Sequence, residues 1–119
     1  MAISFNQLPA DEELSFVIGD DLTMPFQIGA CVTTNNTTSF VPTNITGYQF
    51  ESAIKVGAST ITGEISILSS AIGSMAVKWT DSQTSNLTVG TGTWYLVMID
   101  SNQYERTIVA GEVEVYSRV

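Results

Sequence analysis

The chain has 119 residues, the size of one domain, and folding would bury about two-thirds of its unfolded surface. Only 13% of its residues are charged against 44% hydrophobic, a balance that argues against a disordered chain. A net charge of −8 with four Lys plus Arg supplies too few cations to neutralise phosphates, so neither nucleic acid nor an anionic membrane surface is expected as a partner.

Residues 1–11 show no sustained period, and Pro9 interrupts them. They read as a non-regular N-terminal arm, in which Phe5 and Leu8 are candidates for docking on a neighbouring subunit. This start lacks a basic run followed by an apolar core, so no secretory leader is expected. No window reaches the roughly 20 apolar residues of a membrane span. Synthesis in a cytoplasm and a soluble product are therefore expected.

Residues 12–119 read as one β domain. Leu14, Phe16 and Ile18 alternate inward in a first strand, and Met24, Phe26 and Ile28 in a second. Pro25 lacks a backbone donor, which suggests an edge position or a bulge. Cys31, the sole cysteine, rules out an intrachain disulfide and fits a reducing compartment. Between Ala30 and Val32 it reads as a small buried hydrophobe.

Residues 33–46 are rich in Thr and Asn and contain Pro42, and they read as the longest loop. Loops of this length in compact domains tend to be functional. Asn35, Asn36, Phe40 and Pro42 are accordingly candidate interaction residues.

The strongest periodic signal follows, over residues 47–56. Tyr48, Phe50, Ser52, Ile54 and Val56 fall on one face, with Gln49, Glu51, Ala53 and Lys55 on the other. Strict alternation with aromatic and β-branched residues is a half-buried strand. A short Thr60-Ile-Thr62 segment lies in the turn after it. Residues 64–68 form a fourth strand, with Ile65 and Ile67 on one face. Residues 74–79 form a fifth, burying Met75, Val77 and Trp79 and leaving Lys78 in solvent.

Thr80 or Asp81 could cap a single helical turn, with Leu87 tucked inward. Residues 93–99 are apolar on both faces and read as a central strand covered on each side. The last strand, 106–115, turns Val109, Gly111, Val113 and Val115 inward and Glu112 and Glu114 outward. About seven strands with turn residues between them predict an all-β, antiparallel β-sandwich. The Cys…Trp…Cys spacing of immunoglobulin domains is absent, so an immunoglobulin-like label would concern topology alone.

Catalytic chemistry finds little support. The chain contains no histidine, which removes the commonest general base and most zinc sites. Asp20-Asp21 and Asp11-Glu12-Glu13 suit turns better than calcium, since no EF-hand spacing is present. Gly90-Thr-Gly92 precedes a strand, so it places no phosphate on a helix N-terminus. Asn35, Asn36, Asn44 and Asn86 each begin an Asn-x-Ser/Thr triplet, coincidental in a Thr-rich cytoplasmic chain. Trp79 and Trp94 read as core. No cofactor, no metal and no enzymatic activity are expected.

Three stretches occur in a suggestive order: Ile18-Gly-Asp-Asp-Leu-Thr-Met-Pro-Phe26, Asn44-Ile-Thr-Gly-Tyr-Gln-Phe50 and Gly111-Glu-Val-Glu-Val-Tyr-Ser-Arg118. Together they resemble the small β-sandwich domain of tailed-bacteriophage virion proteins. The likeness is to the N-terminal domain of baseplate upper proteins and to short tail-associated proteins. Asn44 stands where that family usually has Asp, and Trp94 sits beside Tyr95 where Tyr often stands alone. The resemblance implies a non-enzymatic structural subunit docking on the tail, baseplate or fibre base of a virion. It also implies a homo-oligomer whose partners are other virion proteins. A capsid decoration protein bound to the major capsid protein is one alternative. A carbohydrate-binding module using Trp94 or Tyr95 as a platform is another.

Overall fold

The computed structural model describes residues 10–118, so Phe5 and Leu8 lie outside the described residues. Eleven strands are present among the described residues: β1 (Ala10–Asp11), β2 (Leu14–Val17), β3 (Leu22–Gln27), β4 (Gly29–Thr34), β5 (Thr37–Pro42), β6 (Gln49–Val56), β7 (Ser59–Thr62), β8 (Glu64–Ser69), β9 (Ser74–Trp79), β10 (Gly90–Ile99) and β11 (Glu105–Tyr116). All seven expected strands are there, joined by β1, β4, β5 and β7. One helical turn, α1 (Asp81–Thr84), is the only α-helix among the described residues.

The strands form three sheets. The largest runs β1-β11-β10-β6-β7, with β2 also on the outer edge of β11. The second is β3-β9-β8, and β4 with β5 make a third alone. The sheets are not all antiparallel, because β1 and β2 both run parallel to β11. Ala10 and Asp11, assigned to the arm by sequence, already pair with Val109 and Ala110. The sheet therefore begins one step before the expected boundary.

The two larger sheets share one apolar core. Ile54, Leu96 and Val113 from the first meet Met75, Val77 and Trp79 from the second, and all six are fully buried. Burial of a large aliphatic or aromatic side chain contributes about 1.5–3 kcal/mol, so this cluster dominates folding. In β6 the expected face is the buried one and Gln49, Glu51 and Lys55 are in solvent, but Ala53, expected beside them, is buried as well. Pro25 does sit on an edge, since β3 pairs only with β9. Ile65 and Ile67 share one face as expected, opposite Val77 and Met75. Ile65 packs on the core while Ile67 is exposed, just before a break in the β8–β9 register.

β10 is central because β6 and β11 flank it, but it is not covered on both faces. Tyr95 points outward, 42% exposed. An apolar run thus reported lateral pairing and one buried face, rather than two covering layers. Thr80 caps α1 in a reciprocal box: its hydroxyl accepts from the Gln83 N–H, and the Gln83 side chain accepts from the Thr80 N–H. Leu87 is buried as expected.

A 3-10 turn (Ser70–Ile72) followed by Gly73 braces the start and end of the β4–β5 segment. Gly73 has φ 71°, and a Cβ there would strike the carbonyl oxygens of Ile28 and Thr43. Gly73→Ala combines left-handed backbone strain with that collision, for a loss of about 1–3 kcal/mol. A urea titration should show the lower midpoint.

Candidate docking site

The segment expected to be a loop and a buried cysteine is one regular hairpin. β4 and β5 pair in unbroken register from Gly29 opposite Pro42 to Thr34 opposite Thr37. Asn35 and Asn36 connect them with φ of 53° and 64°. Two successive positive φ values make a type I′ turn, whose twist matches that of paired strands. Asparagine tolerates this conformation better than other non-glycine residues. The Thr and Asn content that suggested a loop is therefore a strand–turn–strand composition.

Every residue of both strands is exposed, and neither strand pairs with any other. The hairpin thus projects from the body, and the described residues together span 54 × 27 × 24 Å. Cys31 is exposed, not buried. Its apolar neighbours sit on a ribbon with solvent on both sides, where flanking residues give no information about a core. Val32, Phe40 and Val41 are 43–48% exposed. No charged residue occurs between Asp21 and Glu51, so the entire hairpin is uncharged.

Directly opposed residues share a face. One face carries Cys31, Phe40 and Pro42 with Thr33 and Thr38, whose hydroxyls lie 2.9 Å apart. The other carries Ala30, Val32, Ser39 and Val41. The Phe40 ring lies over Gly29, filling the space that a side chain there would need. At the foot, Thr43 N–H donates to the Ile28 carbonyl at 2.9 Å, and Ile28 N–H to the Gly73 carbonyl at 2.8 Å. Gln27 Nε2 donates to the Ile72 carbonyl at 3.1 Å. The ribbon is free, but its root is fixed to the second sheet.

Four of the expected interaction residues, Asn35, Asn36, Phe40 and Pro42, therefore lie on one projecting element. Val32 and Val41 belong with them and were missed. The signal that could have found them is a pair of asparagines between two Val- and Thr-containing runs.

The other candidates resolve into structural roles. Trp94 is 3% exposed, donates from Nε1 to the Glu12 carbonyl at 2.8 Å and packs near Phe26, so it offers no platform to a ligand. Tyr95 alone of that pair reaches solvent. Asp20 pairs with Arg118 at 3.2 Å, and Asp21 Oδ1 accepts the Asp81 N–H at 2.7 Å. No cluster of three potential metal ligands forms among the described residues. No helix among the described residues is long and apolar enough to cross a membrane.

Asn44 holds the turn into β6, its Oδ1 accepting from the Thr46 N–H and hydroxyl at 3.0 and 2.6 Å. An aspartate would accept in the same way. No protein-family model and no curated protein matches the chain.

Proposed function

We propose that this chain is a non-enzymatic structural subunit of a tailed-phage virion. It docks on the tail, baseplate or fibre base, is made in the host cytoplasm, and works by burying surface rather than by chemistry. The observation that carries the reading is the β4–β5 hairpin: uncharged, exposed on both faces, and rooted in a packed body. A two-stranded ribbon is marginal in water by itself, and exposed apolar strands invite association. Such an element is best explained as half of an interface.

The body reads as an immunoglobulin-like sandwich. Its support is the strand order: β2-β11-β10-β6-β7 in one layer and β3-β9-β8 in the other. This matches the A′GFCC′ and BED layers of variable-type immunoglobulin topology, with the hairpin inserted between the second and third strands. The resemblance of the Ile18, Asn44 and Gly111 stretches to phage sandwich domains supports the virion assignment, and fold alone would not.

Quantitative mass spectrometry of purified particles tests the role. A few tens of copies or fewer per particle are expected for a tail or baseplate part. Hundreds would move the chain to the capsid surface as a decoration protein. Absence from particles would end the proposal.

A further inference from the structure

The two large sheets part at one end of the body. A cleft of about 810 Å³ opens there between the end of β3, the hairpin foot and the β10–β11 pair. Its apolar walls are Phe26, Ile28, Met98 and Ile108, each packed against the core yet only half-buried. The same end leaves backbone unpaired. β1 joins β11 at Val109 and Ala110, and β2 joins it from Val113 onward. The outer edge of β11 over residues 105–108 therefore has no strand partner among the described residues. A further stretch of strand along this edge would pair the backbone and cover the cleft at once.

The chain itself leads into this place. Ala10 lines the cleft and pairs in parallel with Val109, so the residues before it are aimed back along β11 towards Ile108 and Thr107. Glu12 N–H donates to the Ala110 carbonyl at 3.2 Å. Alternate residues of a parallel strand turn both backbone groups to the partner, so positions 12, 10 and 8 face β11 and position 9 faces away. Position 9 is Pro9. Its missing N–H therefore removes no ladder bond, the condition under which a strand accepts proline. Pro9 also disfavours a helical conformation for Leu8 and holds it extended. Side chains alternate between faces in the same manner. Ala10 and Val109 point into the space between the sheets, whereas Asp11 and Ala110 line a groove on the other face with Thr93 and Glu112. Leu8, about 7 Å along the strand from Ala10, shares the inner face.

We propose that residues 1–9 continue β1 along the free edge of β11 in their own chain, and that Leu8 closes the cleft by packing on Met98 and Ile108. No charged side chain occurs in residues 1–9, so burial against an apolar wall strands no charge. Connection decides between a chain's own arm and a neighbour's. Only Pro9 separates Leu8 from a strand already in register, so its effective concentration at the cleft far exceeds that of a separate chain. Phe5 has the opposite parity to Leu8 and falls on the outward face. Of the two arm residues expected to dock on a neighbour, Phe5 is thus left for that role and Leu8 is not. The placement does not depend on the virion role.

Methyl NMR of the full chain tests it. Nuclear Overhauser contacts are expected from the Leu8 methyls to those of Met98 and Ile108, and in a mixture of labelled and unlabelled chains they should arise within single chains. Leu8→Ala should lower the urea midpoint by about 1 M, the effect of truncating a buried leucine at a typical unfolding slope. Phe5→Ala should move it by less than about 0.3 M. Absence of the Leu8 contacts, or a Leu8→Ala midpoint no lower than that of Phe5→Ala, would overturn the proposal. Contacts found only between chains would overturn it too, and would assign the arm to a neighbour's cleft.

Discussion

Excising residues 29–42, with a short Gly-Ser link from Ile28 to Thr43, is expected to leave the body folded and to abolish incorporation into particles. The link is easy to close because Ile28 and Thr43 are already hydrogen-bonded at 2.9 Å. No residue of the excised stretch belongs to the buried core. An isolated two-stranded ribbon adds little to global stability, so the urea midpoint should move by the equivalent of less than about 1 kcal/mol. Copy number in particles should fall at least about tenfold, the effect of losing roughly 1.4 kcal/mol of binding. A large loss of stability would instead make the hairpin part of the folding unit.

Trp94→Ala should have the largest effect on stability. The side chain joins the two sheets, its ring centroid 6.2 Å from that of Phe26 on β3. It also pins the β1–β2 edge, because its Nε1 donates to the carbonyl of Glu12, whose own N–H donates to Ala110 at 3.2 Å. Truncation leaves a cavity and an unpaired carbonyl, at a cost of about 3–5 kcal/mol. That is a large share of the 5–15 kcal/mol typical of a domain. Trp94→Phe retains most of the packing and should lose only about 1–2 kcal/mol, the hydrogen bond and some area. Denaturant unfolding of both variants separates the two contributions. Were Trp94 a ligand platform, either substitution would leave the unfolding midpoint unmoved.

The body was largely legible because its strands obey period two against one core. Phe50, Ile54 and Val56 alternate with Glu51 and Lys55, and only one register buries the first set. Pro25 announced an edge for a local reason, its missing donor. The hairpin was not legible because the usual inference from apolar residue to core breaks down there. Val32, Phe40 and Val41 follow strand chemistry, yet no second layer covers them. Cys31 was misplaced for the same reason. The parallel pairing of β2 with β11 joins residues about a hundred positions apart, and no local pattern records it. Tyr95 likewise read as covered because apolar runs do not distinguish a neighbouring strand from an overlying layer.

Amide hydrogen exchange along residues 29–42, compared between purified particles and the dilute chain, decides whether the hairpin is covered on assembly. If the hairpin is half of an interface, the outward amides of Gly29, Cys31, Thr33, Thr38 and Phe40 exchange rapidly in the dilute chain and slow markedly in particles. Equal, rapid exchange in both states would mean that nothing covers the hairpin and that it is no part of an interface.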